Sequence, residues 1–253
     1  MGYREGGYQG PALKIGGLVL AGLLAKVAWP AIAPLLGQQT MFAELSAADT
    51  ADRRVRQDPI GAILKQRFPD DYRLLLTELQ ASASAHDEAG VRRAFATTMN
   101  RIAQRDGKHL TQASHESLDR LAAARSAVVA ALEMRPRQCA RFGAGTLDLD
   151  EVSPETHALV AAVATARLRA IAEGRDRPAG RSPVPDDATA ESFVAALNGV
   201  PAPLEARQLL VGERRADQAT DRANCAAERL LFDTVRRMPP ESGDRILAAF
   251  LAP

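Results

Sequence analysis

Cysteine, histidine and aromatic residues are all scarce in this chain of 253 residues: two cysteines, four histidines, one tryptophan, and an aromatic share of 4%. Runs of alternating Val, Ile, Thr and aromatic residues, which would announce strands, are missing. So few imidazoles and thiols leave little for a metal. His109 and His115, in "HLTQASHESLD", stand about 240° apart around a helix and cannot share an ion as an i, i+4 pair does. His115 and Asp119 share a face, but two ligands do not make a site. An excess of either charge is also lacking. The formal net charge of +1 removes the attraction that drives nonspecific nucleic-acid binding, so no nucleic-acid partner is expected.

Reactive motifs are missing too. The Gly-rich stretches "GYREGGYQG" and "RFGAGTLDLD" hold neither a Walker A lysine pattern nor a G-x-G-x-x-G after a strand, and G-x-S-x-G is absent. Asp148, Asp150 and Glu151 lack the glycine and later glutamate of an EF-hand loop. They read as an acidic approach to the helix opening at Pro154, favoured by its dipole. Glu116-Ser117 and Glu191-Ser192-Phe193 resemble the start of the motif of periplasmic helical muramidases. No Gly-Leu-Met-Gln segment follows either of them, so that resemblance is dropped. No catalytic residue, cofactor or metal is assigned.

Ala and Leu dominate what is there, with 25% charged residues, mostly Arg, Asp and Glu. These residues lose little rotamer freedom in helices, so the expected fold is all-α. Clusters of mixed sign such as "DRRVRQD" and "VGERRADQATDR" read as solvated helix faces. Asp58 with Pro59, and Ser153 with Pro154, have the form of an N-cap followed by the first helical residue. Apolar stripes at helical spacing follow: Tyr72, Leu75, Leu76 and Leu79; Val91, Phe95, Met99 and Ile102; Leu118, Leu121, Val128, Val129 and Leu132. Pro136 marks the end of the last of these, and Gly174 the end of the helix from Pro154. Residues 174–187, "GRDRPAGRSPVPDD", form a linker that either subdivides the body or is a surface loop of one bundle. A short helix then ends near Gly199, a helical pattern runs on to Met238, and "SGDRILAAFLAP" closes the chain. About eight helices are expected in a body spanning 38–253.

One long hydrophobic run stands out, "IGGLVLAGLLAKVAWPAIAPLLG" over 15–37. Its first 11 residues have the length of a signal-peptide core of about 7–15 residues, and Ala31 and Ala33 offer an A-x-A site. Pro34 would then follow the cut, which disfavours cleavage. A membrane anchor over 11–37, behind a disordered tail of 1–10, must accommodate Lys26. Lys14 and Lys26 lie roughly 18 Å apart along a helix, and snorkelling extends their charges toward the ~30 Å hydrocarbon thickness. Trp29 then falls at the interface, and residues 11–29 form the span. Arg4 and Lys14 precede the run, whereas 38–52 carry no Lys or Arg, which places the N-terminus in the cytoplasm and the body in the periplasm.

That topology bears on the two cysteines. In an oxidising compartment Cys139, just beyond a helix end, and Cys225, within a helix, would form one disulfide. The reading is an inner-membrane, single-pass helical protein of the bacterial cell envelope. Its body binds another envelope protein, or a second copy of the chain, as an assembly or scaffold component. Two alternatives stay open: an envelope enzyme with an unrecognised acidic site, and a soluble helical adaptor that buries 15–37.

Overall fold

The computed structural model describes residues 48–148, 151–182 and 184–251. They form eleven α-helices and two short 3-10 turns, with no strand among the described residues. Helices α1 (Ala48–Gln57), α2 (Pro59–Arg67), α3 (Pro69–Ser84) and α4 (Glu88–Asp106) lead through a 3-10 turn (Gly107–Gln112) into α5 (His115–Leu132). Then come α6 (Pro136–Gly143), α7 (Pro154–Asp176), α8 (Asp187–Asn198), α9 (Leu204–Leu210), α10 (Asp221–Val235) and α11 (Pro240–Leu251). The anchor expected over 11–37, its interface residues Lys14, Lys26 and Trp29, and the tail of 1–10 lie outside the described residues. Among the described residues no helix is long and apolar enough to cross a membrane.

Local chemistry sets the helix starts. Asp58 Oδ1 accepts from the Ile60 and Gly61 amides at 2.8 and 3.3 Å, and Ser153 Oγ accepts from the Thr156 amide at 3.3 Å. Each cap supplies one of the acceptors that the free first-turn amides need. Three helices exceed the expected eight. Ala51 and Val55 bury α1 against its neighbours. Pro136 starts α6 rather than only ending α5, because a proline at the first helical position loses no hydrogen bond. Cys139 therefore lies inside α6. The pattern from 204 to 238 is broken at Gly212, whose φ of 76° is left-handed, and it restarts at α10, where the Thr220 hydroxyl accepts from the Ala223 amide.

The stripes read from periodicity are buried as one core. Leu75, Leu79, Phe95, Met99, Leu118, Leu121 and Leu132 are sealed from water, each side chain contributing about 1.5–3 kcal/mol by leaving solvent. The longest seams pack α5 on α7 and α3 on α4. Gly174 does not end α7, which runs on to Asp176. Instead it permits a close approach, since a Cβ there would stand 1.9 Å from the His109 carbonyl oxygen. The segment after α7 is strapped to the body. The Ala179 amide donates to Gln112 O at 2.9 Å, and Arg181 donates to the Ala113 carbonyl at 2.6 Å. Residues on both sides of it, Leu168 and Ile171 before and Phe193 and Leu197 after, share the same core cluster.

Candidate functional site

The chemistry of the molecule concentrates where α5, α6 and α10 meet. Cys139 and Cys225 form a disulfide that joins α6 to α10, with Cα atoms 5.3 Å apart and a sequence separation of 86. One turn further along each helix, on the same face, come Phe142 and Glu228. Arg125, projecting from α5, donates Nε to Glu228 Oε1 at 2.9 Å and adds a second bond through Nη2. Its guanidinium carbon sits 4.9 Å from the Phe142 ring centroid. Gly143 makes room for the carboxylate, because a Cβ there would lie 2.7 Å from Glu228 Oε2. A covalent bond, an ion pair and a cation–π contact thus converge on one corner.

A second arginine lies close by and is differently placed. Arg167 of α7 is 3% exposed, and its Nε and Nη2 have no hydrogen-bond partner among the described residues. Burial, with the Arg125 charge adding to it, pushes its pKa down to about 10.

Above the disulfide corner opens a groove of about 730 Å³, walled by the C-terminal half of α5, the Val200–Pro201–Ala202–Pro203 segment and the outer face of α10. Its surface is mainly apolar. Val129, Ala130, Pro136, Cys225, Ala226 and Leu230 contribute to it, and Met134 stands at its edge, 91% exposed. Charge is arranged along α10 and its C-cap, where Arg222, Arg229 and the capping Arg236 recur every seven residues. Arg229 pairs with Glu133, which caps the C-terminus of α5, and Arg236 approaches Asp233 at 3.6 Å. Arg222 has no ion-pair partner among the described residues.

A smaller cavity of about 220 Å³ lies beside His115 and Asp244, with Phe232, Met238 and Leu247 in its wall. His115 Nδ1 meets Asp244 Oδ1 at 2.7 Å, and Arg181 donates to the other oxygen of Asp244 at 3.1 Å. The hydrogen bond to Asp244 and its charge raise the His115 pKa above the ordinary histidine range. The sequence pairs His115 with Asp119. In the fold Asp244 is the bonded partner, and Asp119 adds only a more distant charge. His109 lies apart, in the 3-10 turn.

Several of the acidic residues singled out in the sequence have structural posts, whereas Glu191 is exposed on α8. Glu116 pairs with Arg120, Glu151 with Arg141, and Ser117 donates to Glu173, while Asp150 lies outside the described residues. Burial raises the carboxyl of Asp58, but both backbone bonds it accepts hold it at the start of α2. Among the described residues no group of three or more His, Cys, Asp or Glu side chains could hold a metal ion. Sequence reasoning missed the groove and the buried arginines. A signal for the latter existed: Arg125 falls between Leu121 and Val128 in the apolar stripe of α5, and Arg167 between Val163 and Ile171 in that of α7.

Fold and site together define a class: an all-α body closed by one disulfide, carrying an open apolar groove lined with arginine. No family model, curated protein or solved structure matches this chain.

Proposed function

We propose that this protein is a component of the bacterial cell envelope whose helical body faces the periplasm and binds another protein, with residues 11–37 holding it to the inner membrane. The observation that carries the reading is the pairing of the chain's two cysteines beside an open apolar groove. Disulfides persist in oxidising compartments, and contiguous exposed apolar surface rimmed by charge marks interaction sites. The anchor rests on sequence: Lys14 and Lys26 spaced for the two interfaces, Trp29 beside the second, and positive charge on the N-terminal side.

Reporter fusions joined after residue 45, one active only in the cytoplasm and one only in the periplasm, test the topology. Thiol labelling of Cys139 and Cys225 in the same cells tests the bridge. Periplasmic reporter activity is expected, with both thiols labelled only after reduction. Cytoplasmic activity together with two freely labelled thiols would overturn the reading.

A further inference from the structure

We infer that the groove between α5 and α10 takes an acidic amphipathic helix from the partner protein, lying alongside α10 with its carboxylates on the arginine stripe. The inference deepens the protein-binding reading above and rests on it. Three observations support it.

First, the stripe has a helical register. Arg222, Arg229 and Arg236, the last a helical C-cap, are spaced by seven, so their Cα atoms fall roughly 10 Å apart along one side of α10 and its C-cap and span about 21 Å. A helix laid parallel to α10 presents side chains at i, i+7 and i+14 with the same repeat, the geometry of packed helix pairs. An occupant of about four turns matches the stripe.

Second, the charge is unbalanced. The groove lining holds three arginines against two carboxylates, Glu133 and Asp233, and both carboxylates are already engaged by Arg229 and Arg236. Arg222 is exposed and has no ion pair among the described residues, and the same holds for Arg135 and Arg137 on either side of the groove residue Pro136. Exposed ion pairs such as Arg229 with Glu133 contribute little, because water screens them and ordering two long side chains opposes the attraction. They yield readily to a partner carboxylate.

Third, the floor is apolar, small and fixed. Ala130, Ala226 and Cys225 keep it shallow enough for a backbone to approach, and the disulfide beneath stops α10 from shifting relative to α6. A pre-formed groove avoids part of the ordering cost of binding. Anchors at i, i+3, i+4 and i+7 are how such grooves hold a helix. An acidic peptide is favoured over a basic or neutral one because both lining carboxylates are already paired and the remaining charge of the rim, Arg222 with Arg135 and Arg137 nearby, is positive.

Fluorescence anisotropy with the full-length chain in phosphatidylcholine nanodiscs provides the test. The probe is a fluorescein-labelled 18-residue peptide with leucine on one face and glutamate on its flanks, and its twin carries lysine in place of glutamate. The glutamate peptide should bind at least tenfold tighter than the twin, and added salt should weaken it. Arg222→Glu changes an exposed side chain that has no ion pair among the described residues, and it leaves the fold intact. It should weaken the glutamate peptide about tenfold and strengthen the lysine twin. Ala226→Trp, which fills the floor, should abolish binding of both while thermal unfolding stays cooperative.

Equal binding of the two peptides, or glutamate-peptide binding unaffected by both substitutions, overturns the proposal. So does Arg222-dependent binding of phosphatidylglycerol vesicles by a chain that ignores the peptide, which would make the groove a lipid site. A dimer that Ala226→Trp dissociates, again without peptide binding, would make the occupant a second copy. The assay needs no particular cellular location. A periplasmic reporter with no peptide binding removes only this occupant, and peptide binding with a cytoplasmic reporter removes only the envelope reading.

Discussion

Arg125 and Glu228 form an ion pair almost wholly removed from water, their side chains 2% and 5% exposed. The pair links α5 to α10 beneath the groove floor, one turn from the disulfide. In such a setting the cost of stripping water from two charges offsets most of their attraction, and losing one partner is far worse than losing both. Glu228→Gln should therefore cost about 3–5 kcal/mol in urea unfolding, whereas Arg125→Met with Glu228→Leu should recover most of it. Equal losses for the single and the double variant would show that the charge itself, rather than its isolation, is what matters.

Arg167 carries the opposite expectation. Two of its nitrogens are buried without a partner, and an unpaired buried polar group costs about 1–3 kcal/mol, more when charged. Arg167→Met keeps the length of the side chain and removes the unpaired donors. Its urea midpoint should rise by an amount equivalent to about 1–3 kcal/mol with the m-value unchanged. A fall in the midpoint would mean that the guanidinium is held by a group the fold leaves hidden.

The disulfide constrains the unfolded chain across 86 positions, a closure worth about 4–5 kcal/mol in the chain-entropy account. Cys139→Ala with Cys225→Ala should lower stability by about 2–5 kcal/mol, and a reducing agent should destabilise the native protein but leave the double variant unaffected. Melting curves with and without reductant read both effects. A double variant that still responds to reductant would remove the bridge as the cause.

His115 gives a pH signature. Folding raises its pKa through Asp244, with Asp119 reinforcing and Arg181 opposing. A base held protonated by the fold contributes its stabilisation fully below the unfolded value of about 6.5 and loses it as pH climbs through the higher folded pKa. NMR titration of the imidazole should place its midpoint above the ordinary range, and Asp244→Asn should bring it back. A midpoint at or below the ordinary range would refute the ion pair in solution. The effect on stability will be small, because the side chain is 62% exposed and solvent screens it.

Several features were legible before any coordinates. Leu118, Leu121, Val128, Val129 and Leu132 repeat at helical spacing, and all five are buried. Asp58 with Pro59, and Ser153 with Pro154, open helices as caps do, since the cap bond is local and needs only a few neighbouring residues. Short helices were harder to read. The eight residues of α6 and the seven of α9 give too few turns for a period to stand out, and propensity alone barely sustains helices of that length. Gly174 misled for another reason. The sequence offers a glycine as a stop, whereas the fold uses its missing Cβ to bring α7 against the His109 carbonyl.

The candidate site divides in the same way. The heptad spacing of Arg222, Arg229 and Arg236 is written in the sequence, but nothing local says that an apolar groove lies beside it. The groove exists because α5, the 200–203 segment and α10 leave a gap where they converge, and those walls are up to about a hundred residues apart in the chain. Sequence by itself determined the helical class, the caps, the buried stripes and the single available cysteine pair, because each follows from short-range periodicity or from a count. Tertiary structure alone decided that Arg125 would find Glu228 while two nitrogens of Arg167 found no partner among the described residues, and that His115 would meet Asp244 rather than Asp119. Those pairings depend on which helix faces meet, a choice made by packing over the whole chain rather than by any stretch of it.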